Sequence, residues 1–158
     1  MVIEDIEAPA FGLLVHWLYT RKLKKGEGED DPGLLLLAKV WALAERFIMP
    51  RLQNFVLDQF RSGLDHLEEI TILQSLASFA YGKDLAKNNP IRKLTIEKFA
   101  YGSTRCVTWP GNPVDYPAEF FTDVMKVLAA FHDHQQARLH GKLSKASEFY
   151  VQVREEED

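Results

Sequence analysis

The chain has a single cysteine among its 158 residues, Cys106, and so has no partner for a disulfide within itself. That excludes a disulfide-stapled fold and is consistent with a reducing compartment. No apolar run is long enough to cross a bilayer, the nearest being residues 11–19 and 34–37. The first five residues, Met-Val-Ile-Glu-Asp, lack the basic start and apolar stretch of a secretory leader. There is no basic excess either: 19 Lys and Arg against 23 Asp and Glu leave a net charge of −4, which gives no support for general nucleic-acid binding. The expectation is an intracellular protein, cytoplasmic or nuclear, with no membrane and no nucleic-acid partner.

Catalytic motifs are also missing. There is no Gly-x-Gly-x-x-Gly, no Gly-Lys-Ser/Thr phosphate loop and no Gly-x-Ser-x-Gly elbow. His132 and His134 flank Asp133, but residues two apart on a helix project about 200° from each other and cannot share one ion without unwinding. The acidic residues 27–31 lack the spaced ligands and closing glutamate of a calcium loop. Cys106 has no adjacent base or family signature to make it a nucleophile. The chain is therefore read as non-enzymatic, with no cofactor and no metal.

What is present is amphipathic periodicity, and 46% of the residues are hydrophobic. In the first segment Phe11, Leu14, Val15, Leu18 and Tyr19 fall on one helical face, and Pro9 suits the first turn. Leu13 and Trp17 lie one turn apart on a second side, readable as intramolecular core or as a partner surface. After a charged, glycine-containing loop (residues 22–33), a second helix sets Leu37, Val40, Trp41, Ala44, Phe47 and Ile48 on one arc at about 100° per residue. Met49-Pro50 breaks it, and Pro50 opens a third helix carrying Leu52, Phe55, Val56 and Phe60 inward. Two helices so closely joined are expected to form a hairpin.

The second half continues the pattern. Arg61-Ser62-Gly63 suggests a break, followed by a fourth helix over 64–81 that stops at Gly82. Asn89-Pro90 is an N-cap and first helical position, so a fifth helix should run from about Pro90 to Tyr101. Its apolar residues lie on more than one side, which suits a helix wedged between neighbours. Residues 103–116 contain Trp109-Pro110-Gly111-Asn112-Pro113 and read as an irregular loop, with Trp109 either a partner anchor or a tuck onto the core. Pro117 starts a sixth helix with Phe120, Phe121, Val124, Val127, Leu128 and Phe131 on one broad face. The acidic end, residues 155–158, should be solvated.

Two phrases carry a resemblance. Glu7-Ala8-x-Ala10-Phe11 running into Trp17-Leu18-Tyr19-Thr20, and Leu43-Ala44-Glu45-Arg46-Phe47-Ile48-Met49-Pro50-Arg51-Leu52-Gln53-Asn54, look like the second half of a BTB/POZ domain of the fungal type. A looser likeness to the helical continuation of such proteins runs through Ile91-Arg92-Lys93-Leu94 and Tyr116-Pro117-Ala118-Glu119-Phe120-Phe121. The resemblance implies an all-α, or nearly all-α, chain, with residues 1–62 as the C-terminal helical half of a BTB/POZ-like domain and 63–140 as a helical extension; rising polarity marks 141–158 as a mobile polar tail. Where the family has glycine after Tyr-Thr this chain has Arg21, so a different helix cap is expected.

The function this resemblance implies is protein–protein interaction, the partner being a cullin or another BTB chain, and the role in some family members being an adaptor for a cullin-type ubiquitin ligase. The usual family homodimer is not expected, since the strand-rich half that forms it does not precede Pro9. His16, Lys22 and Gln53 are the contact residues so implied, and Leu13 and Trp17 join them as the partner surface that periodicity leaves open. The alternative is a structural remnant of a BTB protein with no binding activity of its own.

Overall fold

The computed structural model describes residues 6–23, 33–82, 85–103, 115–134 and 144–153. The fold is all-α, with six helices among the described residues, α1 Ala8–Thr20, α2 Leu34–Arg46, α3 Pro50–Asp65, α4 Ile70–Ala80, α5 Pro90–Ser103 and α6 Ala118–His134, then a short 3-10 turn, Ala146–Phe149. No strand occurs among the described residues, and none of their helices is long and apolar enough to cross a membrane. The chain divides into two compact units, residues 1–63 with 146–158, and residues 64–145.

In the first unit α1 packs on α2. The face of α1 that goes inside is Ala10, Leu14 and Trp17, while Phe11, Leu18 and Tyr19 are exposed. This corrects the stripe expected from periodicity. Both sets obey helical spacing, and the buried one includes a small residue, Ala10, that is 1% exposed. Alanines serve α2 in the same way: Ala38 and Ala44 are fully buried beside Leu37, Val40 and Trp41.

The turn after α2 is also not as expected. Phe47 and Ile48 do not extend the helix inward; Ile48 takes a left-handed conformation, φ 55°, with its side chain 86% exposed. The Met49 N–H reaches the Ala44 carbonyl at 2.8 Å and the Ile48 N–H the Glu45 carbonyl at 3.1 Å. That pair of bonds is a Schellman motif, which satisfies carbonyls the helix end would leave bare. Pro50 then opens α3, whose Leu52, Val56, Leu57 and Phe60 are buried.

Helix α3 runs straight through Arg61-Ser62-Gly63, where a break was expected. A Cβ built at Gly63 would sit 2.7 Å from Leu34 Cδ2, so the glycine admits the start of α2 against the end of α3. That approach sets the start of α2 beside the end of α3, the antiparallel order anticipated from the short connection. The unit division falls one residue later, between Gly63 and Leu64, and the fourth helix begins at Ile70 rather than near residue 64.

The second unit is layered in chain order, with α5 in contact with both α4 and α6. Because α5 is covered on two sides, Ile91, Leu94, Thr95, Ile96, Glu97, Phe99 and Ala100 are all buried. Asn89 caps it, Oδ1 accepting from the Arg92 N–H at 2.7 Å. The core is aromatic. Phe120 stacks on Tyr116 with ring centres 5.0 Å apart and meets Phe99 edge to face at 5.0 Å. Tyr81 and Phe121 add further edge contacts to Phe120. Such pairs contribute roughly 0.5–1.5 kcal/mol each beyond area burial.

Candidate functional site

The residues implied as contacts separate on the two sides of the surface. Trp17 is 5% exposed and Gln53 also 5%. Neither can meet a partner directly, which corrects both assignments. Leu13 and His16 are half-buried, and Lys22 is exposed. The intramolecular reading of Trp17 is therefore the right one of the two that periodicity left open. Its Nε1 is buried with no hydrogen-bond partner among the described residues, a cost of about 1–3 kcal/mol that ring burial must outweigh.

Trp17 also explains how α1 ends. Arg21, where a different cap was expected, adopts the left-handed conformation itself at φ 56°, and its N–H donates to the Trp17 carbonyl at 2.8 Å. Its guanidinium lies over the Trp17 ring, 4.6 Å from the centroid. A cation over an indole contributes about 0.5–1 kcal/mol at an exposed site. That offsets part of the strain a glycine would avoid. Thr20 closes the turn, its hydroxyl donating to the His16 carbonyl at 2.8 Å and accepting from the Lys22 N–H at 3.2 Å.

With Trp17 inside, the outward face of α1 is Phe11, Val15, Leu18 and Tyr19. Val15 is half-buried and Tyr19 is 85% exposed. These residues follow i, i+4, i+7, i+8 spacing, so they form one apolar stripe along the helix. At the base of α1, the Glu7 carboxylate accepts from Lys39 Nζ with both oxygens, at 2.5 and 2.7 Å. The pair is exposed and contributes little stability. Its effect is to fix where α1 starts against α2.

A second cluster, unseen in the sequence, lies on α3. Asn54 pairs with the backbone of Val151 at both ends: the Val151 N–H donates to Oδ1 at 2.8 Å, and Nδ2 donates to the Val151 carbonyl at 2.9 Å. One turn on, Asp58 accepts a hydrogen bond from the Tyr150 hydroxyl. That bond raises the Tyr150 pKa above the ordinary phenol value. Ala146, at the start of the same segment, is buried. Residues 146–151, within the segment expected as a polar tail, thus belong to the first unit.

In the second unit the charged side chains converge on Asp123. It accepts from Arg92 Nη2 at 2.6 Å, the Tyr81 hydroxyl at 2.8 Å and Lys126 Nζ at 2.9 Å. Arg92 in turn lies over the Tyr81 ring at 3.7 Å. Burial raises the Asp123 pKa, but these three donors outweigh it and hold the carboxyl at about 2. Burial and the bond to Asp123 push the Tyr81 hydroxyl well above its ordinary value. Every member is matched by an opposite or donating group, so the cluster reads as a clamp joining α5 to α6. Nearby, buried Glu97 accepts from the Ser144 N–H and hydroxyl, both at 2.7 Å.

No group of His, Cys, Asp and Glu able to hold a metal ion occurs among the described residues. His132 and His134 both fall in the last turn of α6. Cys106, Trp109, the acidic residues 27–31 and the terminal residues 155–158 lie outside the described residues. Comparison with known protein families, curated proteins and solved structures gives no match.

Proposed function

We propose that this chain is a non-enzymatic protein–protein interaction module of the BTB/POZ type that acts as an adaptor for a cullin-type ubiquitin ligase. The observation that carries the reading is the outward stripe of Phe11, Leu18 and Tyr19 on α1. Three large apolar side chains in line on one helix keep much of their surface open to solvent, and aromatic residues so placed are the usual anchors of an interface. The stripe is drawn from the same phrase that carries the family resemblance. It moves the contact surface from Leu13, Trp17 and Gln53 to the opposite side of α1, leaving Lys22 at its end.

Sedimentation velocity of the chain mixed with a cullin N-terminal domain tests this. The reading expects a heavier species with the wild type and its loss with Leu18→Ala/Tyr19→Ala, residues 47% and 85% exposed, in a chain whose folding is checked by circular dichroism. Absence of the complex from a folded wild-type chain would overturn the adaptor role. If the wild type instead self-associates and the double variant does not, the stripe is a surface covered by a second copy of this chain and the cullin adaptor role falls; a folded wild type that binds neither favours the remnant without independent binding.

A further inference from the structure

We infer that the outward face of α1 seats one amphipathic helix of the partner, antiparallel to α1, with its acidic first turn against Arg21 and Lys22. This seat rests on the reading of that face as an interface and goes further by naming what covers it. Phe11, Leu18 and Tyr19 are exposed beside half-buried Val15, and no Asp, Glu, Lys or Arg stands between Ala8 and Thr20. A helix face turned to water ordinarily carries charge. This one carries none along its length, so its cover brings an apolar stripe of its own.

The relief of the face suits a second helix. Phe11, Val15 and Tyr19 form a row at i, i+4, i+8 with Leu18 beside it, and rows of that spacing pack into the groove of a neighbouring helix. At a rise of about 1.5 Å per residue the row is about 12 Å long, which about three turns of a partner helix cover. Gly12 lies next to the row, exposed, and a Cβ built on it meets nothing within 4 Å. Packing within the chain has no need of glycine there, although glycine costs a helix about 1 kcal/mol against alanine. Its use is external, since a residue without a side chain lets a second backbone come close.

Charge sets the direction. Arg21 and Lys22 are exposed at the C-terminal end of α1, and neither forms an ion pair among the described residues. The Arg21 guanidinium lies over the Trp17 ring, which leaves its N–H donors for a carboxylate. Acidic residues are favoured in the first turn of a helix, so a partner helix presents them to these cations when its N-terminus meets the C-terminus of α1. The opposed helix dipoles favour the same antiparallel order. At the other end Glu7 is already matched by Lys39 and adds no preference.

The test is fluorescence anisotropy of a labelled, stapled helical peptide of about 15 residues, with leucines at i, i+3, i+4, i+7 and glutamates in its first turn, titrated with the full chain. Binding should saturate, and Leu18→Ala/Tyr19→Ala should weaken it about tenfold. Lys22→Glu, or glutamine in place of the peptide's glutamates, should weaken it several-fold. Gly12→Gln should weaken it about tenfold without lowering the unfolding midpoint, since glutamine is the better helix former and enters open space. A photo-crosslinker on the peptide's first residue should attach to residues 18–23. No binding by a folded wild type, binding unchanged in Gly12→Gln or the double variant, or crosslinks near Pro9 would overturn the proposal. Peptide binding without a cullin complex would remove the adaptor role and leave the helix seat standing; a cullin complex without peptide binding would do the reverse.

Discussion

Replacing Ile48 with glycine should stabilise the first unit. Ile48 is a β-branched residue at φ 55°, a region that costs an L-residue about 1–2 kcal/mol and that β-branched side chains almost never enter. Its side chain is 86% exposed, so no packing is lost on removing it. The Schellman bonds from Ile48 and Met49 are made by backbone and survive the change. Glycine gives back roughly 0.5–1 kcal/mol through the freedom of the unfolded chain. The net gain is about 0.5–1 kcal/mol.

Urea unfolding followed by tryptophan emission, in a Trp109→Phe background so that Trp17 and Trp41 report, measures this directly. With a slope of about 1–2 kcal/mol per M, the midpoint should rise by roughly 0.5 M at constant slope. Ile48→Ala keeps a Cβ in the left-handed region and should gain much less. A glycine variant with an unchanged or lower midpoint would refute the claim that this turn is strained.

Other substitutions probe the remaining contacts. Asp123→Asn should cost about 2 kcal/mol, since it leaves Arg92, 12% exposed, with only the longer pair to Glu119 at 3.3 Å. The same carboxyl predicts an acid limb: its pKa falls from 3.8 to about 2 on folding, so its contribution of about 2 kcal/mol is complete above roughly pH 4 and is lost as pH falls through 2. Stability of the wild type measured between pH 4 and 2 should show that loss, and Asp123→Asn should lack it. Trp17→Ala should cost about 3–5 kcal/mol in chemical denaturation. Trp17→Phe should cost far less, because it also removes the unpartnered Nε1–H. Gly63→Ala should be nearly neutral alone, the helix gain of about 1 kcal/mol offsetting displacement of Leu34; in a Leu34→Ala background it should stabilise by about that amount.

The helices were legible because their signals are local. Asn89-Pro90, Pro50, Pro9 and Gly82 each mark an end that depends on nearby residues, and the structure has all four near those ends. The face of α1 was not legible, since Ala10, Leu14 and Trp17 have the same spacing as Phe11, Val15 and Leu18. Only the approach of α2 chooses between them. The expected break at Ser62-Gly63 failed for a similar reason, as glycine there serves contact with Leu34, not a turn. The clusters at Asn54 and Asp123 join residues 97 and 31 positions apart, and no periodicity can announce a side chain meeting a distant backbone.

Trp17 is buried in the core, and Leu18 and Tyr19 are exposed on α1, where the proposed function sets the interface. Calorimetric titration of a cullin N-terminal domain into Trp17→Phe and Leu18→Ala/Tyr19→Ala chains, each checked for folding, puts the two positions in opposition. The account predicts wild-type affinity for Trp17→Phe and at least a tenfold loss for the double variant, the scale of an anchor residue. Full binding by the double variant, with the loss falling on Trp17→Phe instead, would contradict it.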